Sequence, residues 1–497
     1  MEHIPRLSEV LYVGLCRKIG TPTEVSFRRD VMDIEEMVGK PKDMLLRLLS
    51  IPYSYSGSFR EGFRLDSSDL DVMLWDQNHK MISKVSQAKI YNASKHTIIL
   101  VEDSDTPPGF VRLQLLTETR DCFIRQTRVS FNDKFYLSNL IWRKEMLQMS
   151  NEYFKNAKSH GPCITKSCAG TEIDEVYCLA SIHWPKSALK WIERSLNYTW
   201  PPEFVIKEIL NNGYHCVPIG SRPTCDDLCV DQELEWRLSF SRAEKRLVNT
   251  MNHTQFLCYG LLKIFLKEVI NDCIEKPLLC SYHIKTTMFW IIQFGTIQWY
   301  PTNLLNSFWK CLKYLIHSVN RGVLSNFFNS QNNMFANKVI GEERIFLLEQ
   351  LNRYYKMGVS CLLLSPTLRA IVEPALVNPS FESPFADGHV KSVPDIDLYY
   401  TKMLSVLSYY RLGNQSQCLQ SLADLKILLH DSDRCVSVCL RDISWQILGI
   451  CQQVVGDLHG ALQSYQESLK QEPFHKNQKA AEARIRYIKN QLHRNIP

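Results

Sequence analysis

Ser56-Gly57-Ser58-Phe59-Arg60-Glu61-Gly62, followed by Ser67-Ser68-Asp69-Leu70-Asp71-Val72-Met73, is the stretch that decides how this chain folds. Gly57-Ser58 predicts a tight turn in which the missing side chain and the exposed backbone amides allow close approach to a phosphate group. Leu70-Asp71-Val72-Met73 reads as a strand, so Asp69 and Asp71, two residues apart, project from one face. Paired carboxylates at that spacing suit a hard divalent cation such as Mg²⁺, which takes oxygen ligands and bridges to substrate phosphates. An isolated Asp-x-Asp is more often a capped turn with one solvated acid. The Gly-Ser turn just upstream tips the reading toward metal and phosphate.

Around this stretch the chain changes character. Residues 1–50 read as helical, with apolar positions at Leu7, Val10, Leu11 and Leu15 and again at Met32, Ile34, Met37, Met44, Leu45 and Leu48. From Pro52 to about 240, short apolar strand-like runs such as Thr97 to Val101 and Phe110 to Leu116 alternate with turns and with helical segments. After Ser241 the pattern is helical throughout. Pro374, Pro379, Pro384 and Pro394 mark a connection over 371–395. Beyond it, Trp445, Leu448, Gly449, Ala461, Tyr465 and Pro473 fall at tetratricopeptide offsets, and Leu398 to Leu429 repeats part of that pattern. The expected organisation is a helical segment (1–50), a mixed lobe (51–240), a helical lobe (241–370), a linker (371–395) and a tetratricopeptide-like region (396–495).

The chain has 497 residues, of which 45% are hydrophobic and 22% charged, enough to bury sizeable cores and too balanced for a disordered or fibrous protein. A net charge of +6 permits phosphate or nucleic-acid partners without establishing them. The 17 Cys form no C-x-x-C pair and the opening MEHIPRLSEV is not an apolar leader, so reduced thiols in the cytoplasm, with the nucleus also open to the chain, are expected. No stretch is apolar enough to predict a membrane span.

The Gly-Ser turn and strand-borne acids resemble the nucleotidyltransferase fold of polymerase-beta-like enzymes. Trp184-Pro185, Trp200-Pro201-Pro202, Val217-Pro218-Ile219-Gly220, Trp236-Arg237-Leu238-Ser239-Phe240-Ser241-Arg242-Ala243-Glu244 and Ser281-Tyr282-His283-Ile284-Lys285-Thr286 narrow that resemblance, over about residues 50 to 350, to the Mab-21-like family that contains cyclic GMP-AMP synthase and related receptors. The resemblance implies an α+β, bilobal nucleotidyltransferase fold followed by an all-helical C-terminal region. It implies phosphate binding by Gly57 and Ser58 and metal ligation by Asp69 and Asp71, where Asp69 stands in place of a Glu. The third metal ligand it assigns to an acid before the first Trp-Pro, Asp174 being preferred, with Glu172 on the same strand face and Glu175 on the other.

In the helical lobe the resemblance implies that Arg237, Ser239 and Ser241 line a nucleotide cleft, that Lys263 and Ser281 contact phosphates, and that Tyr282 stacks on a base. Without the family pattern, Tyr282 and His283 would read as core residues and Lys263 as a solvated helix charge. The family's zinc insertion after W-R-L-S-F-S is missing. Cys225 and Cys229, or Cys435 and Cys439, supply only two ligands each, so no structural zinc and no DNA sensing by that route are expected.

The implied activity is a Mg²⁺- or Mn²⁺-dependent synthesis of a cyclic dinucleotide from nucleoside triphosphates, ATP and GTP first among them, in innate immune signalling. Double-stranded RNA is the candidate activating ligand, recognised by shape and phosphate contacts. Two alternatives stay open: an inactive scaffold or ligand-binding protein recruiting a protein partner through its C-terminal helices, and a transferase extending an RNA end.

Overall fold

A computed structural model of the chain describes residues 3–38, 51–65, 70–119, 121–153, 156–168, 171–221, 230–272, 274–336, 338–377, 396–430, 441–471 and 478–494. The chain divides into two units, 1–22 with 32–384, and 23–31 with 385–497. The expected α+β class holds: a mixed sheet lobe is followed by helices.

Two sheets build the first lobe. The five-stranded sheet runs, in spatial order, Tyr53–Ser56, Leu70–Leu74, Thr171–Tyr177, Cys163–Cys168 and Lys158–His160. Leu70–Leu74 lies antiparallel to Tyr53–Ser56 and parallel to Thr171–Tyr177. Alternation decides its two faces. Leu70, Val72, Leu74 and Ile173 pack with Met32, Tyr53 and Tyr55 in one apolar cluster, while Met73 and Val176 pack with Cys178 and Val217 in another. A strand buried on both sides accepts no unpaired charge on its closed face, so the odd-numbered positions Asp71 and Met73 and the even-numbered Asp174 and Val176 share the second face by register.

The second sheet orders Leu179–Ser181, Tyr214–Val217, Glu235–Ser239, Phe110–Leu115, Thr97–Glu102 and His79–Ile82, with the hairpin Arg128–Phe131 and Lys134–Leu137 paired onto Phe110–Leu115. Within Glu235–Ser239, Trp236 is fully buried among Trp142 and neighbouring apolar groups, and its indole N–H donates to the Leu137 carbonyl at 2.9 Å. A large ring with its polar tip satisfied fixes the strand and turns Arg237 to the opposite, open side.

After Ser239 the described residues form helices, apart from a bridge between Ser325 and Asn333. His253–Phe265 is buried on nearly every side, as expected of a central core helix, and starts at an Asn252 cap whose side chain accepts the Gln255 N–H at 2.9 Å. The N-terminal helix His3–Ile19 buries Leu7, Val10, Leu11 and Leu15, the positions its periodicity marks. The expected connection over 371–395 begins inside a helix, Pro366–Val377, which contains Pro374; the remaining prolines of that stretch lie outside the described residues.

In the second unit, Ile396–Arg411 and Gln415–His430 form one helical hairpin and Arg441–Val454 and Leu458–Lys470 another, followed by Gln478–Arg494. Gly449 lies so close to the Tyr465 ring that a Cβ there would stand 2.8 Å from it. Pro473, part of the repeat signature, is outside the described residues. No single described helix is long and apolar enough to cross a membrane.

Candidate nucleotide site

Four segments meet around the acids. The strand Tyr53–Ser56 ends in a one-turn helix, Gly57–Arg60, with Gly57 at φ +71°, a conformation L side chains rarely adopt. A Cβ on Gly57 would overlap the Asp71 carboxylate, coming 2.7 Å from its Cγ, so the turn and the acid are packed directly together. Arg60 anchors the turn from below. It is fully buried and ion-paired to Asp33 and to Glu36 (3.3 Å), and Glu36 also accepts the Tyr55 N–H at 2.8 Å. Lys245 completes this cluster at 2.7 Å from Glu36.

Asp174 sits directly across from Asp71 in the parallel register. Thr165 Oγ1, opposite Asp174 on the next strand, donates to its Oδ1 at 2.6 Å. Both carboxylates are close enough to Cys163 that their charges add to burial in raising its thiol to about 12, with Arg237 acting in the other direction. Asp71, Asp174, Cys163 and Arg237 therefore belong to one neighbourhood. Glu175 points to the other face, fully buried, 2.6 Å from Lys166 Nζ and accepting the Tyr177 hydroxyl at 3.0 Å. Glu172, on the Asp174 side by alternation, is exposed. Asp69 lies outside the described residues, as do Cys225, Cys229, Cys435 and Cys439.

Lys263 comes from the central helix of the second lobe. Buried, with its Nζ donating to Ser58 Oγ, it is pulled down to about 8 mainly by burial and then by Lys285, against the raising influence of Glu61 and Asp71. Tyr282, half-buried, accepts a hydrogen bond from Asn326 Nδ2 at 3.0 Å, and Ser281 is exposed at the start of the helix Ser281–Phe294. Arg237 is exposed, with Tyr282, Cys163 and Glu244 among the groups that act on its charge. Ser239 is half-buried one strand position further on. Ser241, also half-buried, has its hydroxyl 3.3 Å from Nδ1 of the buried His215.

Three charges inside the quoted motifs have no role in the sequence reading, yet they meet. Lys285 Nζ is 2.6 Å from Glu61 and 3.1 Å from Glu244, and the Tyr259 hydroxyl donates to Glu61 at 3.3 Å. Burial opposes the Lys285 charge, but the two carboxylates hold its pKa well above the ordinary lysine value. This buried network joins the phosphate turn (Glu61), the segment after W-R-L-S-F-S (Glu244) and the S-Y-H-I-K-T helix (Lys285). The sequence shows each charge inside or next to a motif, and only packing reveals its partner.

The chain matches the Mab-21 protein nucleotidyltransferase domain over residues 87–250 and the Mab-21 protein HhH/H2TH-like domain over residues 255–353. The first match includes Asp174, Arg237, Ser239 and Ser241, and the second Lys263, Ser281 and Tyr282; the phosphate turn and Asp71 precede both. Among curated proteins it is similar to cyclic GMP-AMP synthase of Mus musculus, 29% identical over 119 residues (21% of this chain, 24% of that protein). It is likewise similar to cyclic GMP-AMP synthase of Sus scrofa, 29% identical over 188 residues (34% of this chain, 36% of that protein). The matches thus span little more than a third of those relatives' length at most. With the two domains in tandem over a bilobal α+β fold, the chain belongs to the Mab-21 family of nucleotidyltransferase-fold proteins.

Proposed function

We propose that the chain is a nucleotidyltransferase that joins two nucleoside triphosphates into a cyclic dinucleotide, in the manner suggested by its similarity to cyclic GMP-AMP synthase. The observation that carries this reading is the in-register pairing of Asp71 and Asp174 on parallel strands, with the Gly57-Ser58 turn packed against Asp71. Adjacent carboxylates, beside a Cys163 that burial and their own charge keep as a neutral thiol, form an oxygen donor set suited to Mg²⁺ or Mn²⁺. Asp71 and Asp174, with Asp69 two residues before Asp71, would hold that metal, which supplies charge neutralisation at the transferring phosphate and activation of the attacking hydroxyl.

The chain's own residues would do the rest. Gly57 lets the turn pack directly against the Asp71 carboxylate, and the Ser58 hydroxyl and Lys263 ammonium, already paired, would bind the oxygens of a phosphate there. Arg237, exposed beside Tyr282, would take a further phosphate or a base edge, and the half-buried Tyr282 ring would stack on a base. In each linkage step a ribose hydroxyl of one nucleotide attacks the α-phosphorus of the other, a P–O bond to pyrophosphate breaks, and the hydroxyl proton leaves to solvent. Activation by double-stranded RNA, a role in innate immune signalling and recruitment of a protein partner by the C-terminal helical hairpins, read as tetratricopeptide-like, are parts of the same proposal.

The test is incubation of the full chain with Mg²⁺ or Mn²⁺ and labelled ATP, GTP, CTP and UTP, with and without double-stranded RNA or DNA, followed by chromatography. A phosphatase-resistant dinucleotide that disappears in an Asp69→Asn, Asp71→Asn variant is expected. Linear extension of an added RNA would favour the RNA-end transferase instead. No product from folded protein under any condition would favour the inactive, partner-recruiting reading, for which the C-terminal unit supplies exposed Tyr410, Leu412 and Leu419 on its helical hairpins.

A further inference from the structure

We propose that Asp76, His79 and Asp121 form a second metal site, separate from the nucleotide cleft, for a divalent transition metal of which Zn²⁺ is the best match. One ligand atom from each lies within 4.8 Å of the other two. The strand Leu70–Leu74 carries Asp71 near its start and delivers Asp76 beyond its other end, on the order of 15 Å away at the rise of an extended chain. The two sites are thus built from opposite ends of one strand.

The local geometry suits coordination. His79 Nε2 and Asp121 Oδ2 are 3.1 Å apart. Two ligand atoms each about 2.0–2.2 Å from an ion are separated by that distance when they meet it a little above a right angle, so the pair can accept a metal with little movement. Asp121 is held for this task from behind: its Oδ1 accepts the Phe123 N–H at 2.9 Å as the cap of the helix Cys122–Thr127, leaving Oδ2 directed at the imidazole. Asp76 is positioned by its own turn, with Oδ1 accepting the Asn78 N–H at 2.7 Å.

His79 is only 8% exposed, and among the described residues its Nδ1 has no hydrogen-bond partner. With no partner for Nδ1 among the described residues, the tautomer is set at Nε2, whose proton the Asp121 carboxylate accepts and an ion would displace to Nδ1. A nitrogen with two carboxylates favours zinc and its neighbours in the transition series over Mg²⁺, which prefers oxygen alone. Three protein ligands leave one position for water. Unlike a cysteine-pair zinc site, this one is assembled by the fold from Asp-x-x-His and an acid 42 residues beyond the His. Such an ion would tie the turn after Leu70–Leu74 to the start of Cys122–Thr127 and stabilise the folded chain by binding it alone.

The experiment uses the full chain carrying Asp71→Asn and Asp174→Asn, so that the nucleotide-site acids do not compete, titrated with Co²⁺ as a spectroscopic probe and with Zn²⁺ by calorimetry. The expected result is one equivalent bound, visible d–d bands without sulfur-to-cobalt charge transfer, and at least tenfold weaker binding in both His79→Gln and Asp121→Asn. Asp121→Asn retains a side-chain oxygen for the helix cap, so it guards against loss of binding through unfolding, with circular dichroism confirming the fold of each variant. Absence of binding by the folded parent, undiminished binding in the folded variants, or a thiolate charge-transfer spectrum would overturn the site.

Discussion

Gly57 and Asp71 are packed so closely that no side chain fits between them: a Cβ on Gly57 would overlap the Asp71 carboxylate and approach its Cγ to 2.7 Å. The same glycine sits at φ +71°. Gly57→Ala would therefore meet both a backbone penalty of roughly 1–2 kcal/mol and a displaced acid. The expected outcome is a folded protein, lowered in unfolding free energy by about that amount in urea titration, with Mn²⁺ and nucleotide affinity reduced at least tenfold in calorimetry. Unchanged metal affinity would show that Asp71 does not depend on the turn.

Asp174 and its neighbour Glu175 should respond in opposite ways. Asp174 faces Asp71 across the strand pair, whereas Glu175 is buried on the other face against Lys166. Asp174→Asn should weaken Mn²⁺ binding strongly while changing the unfolding midpoint little. Glu175→Gln leaves Lys166 buried beside a neutral amide and should cost about 3–5 kcal/mol, since removing one partner strands the other's charge. Paired melting and calorimetry on the two variants separates the roles, and loss of metal binding with full stability in Glu175→Gln would reverse the assignment.

Much of this site is visible in the sequence because strand alternation is a strict rule. A period of two places the neighbours Asp174 and Glu175 on opposite faces, and the buried Trp236 and Leu238 follow from the same period around the open Arg237. Long-range pairing obeys no such rule. That Lys285 would reach back to Glu61, and that Arg60 would be buried against Asp33 and Glu36, depends on how helices and sheets pack, which spacing along the chain does not encode. Ser241 is a further case. Spacing along the chain does not show that this motif position meets His215, which it does because Ser241 begins the helix Ser241–Asn249 beside the strand that carries that histidine.

Lys263 predicts a pH dependence of nucleotide binding. Its folded pKa of about 8 lies below the ordinary lysine value because burial disfavours the ammonium. Below pH 8 the side chain is charged in the folded and the unfolded chain alike, and the cost of burying the charge is present in full. That cost diminishes between about 8 and 10.5, where only the unfolded chain remains protonated, so the lysine's contribution to stability improves there. Binding should move the other way: phosphate affinity should fall as pH rises through 8, by up to tenfold per unit. Lys263→Met should bind more weakly with a flatter profile from pH 7 to 9, and Lys263→Arg, which keeps its charge, should extend tight binding to higher pH. An equally steep fall in Lys263→Met would place the titrating group elsewhere.

His215 sets the acid side. It is fully buried, and burial first, then the positive charge of Arg242, holds its pKa well below the ordinary histidine value. Above pH of about 6.5 the imidazole is neutral in both states and contributes nothing to the pH dependence. As pH falls below that, the unfolded chain takes up a proton that the folded chain refuses, so stability drops by up to about 1.4 kcal/mol per unit until the folded pKa is reached. Ser241, 3.3 Å from Nδ1, and the Trp75 ring, 5.2 Å away, offer no negative charge to offset this, and Arg242 stacks on the same Trp75 at 4.4 Å. His215→Gln should therefore be less stable than the parent at pH 7.5, where it loses only packing, yet the gap should narrow steadily toward pH 5. Urea unfolding at half-unit intervals over that range measures the difference directly, with the acids common to both proteins cancelling. A gap that stays constant with pH would mean that the buried imidazole accepts its proton without leaving the fold.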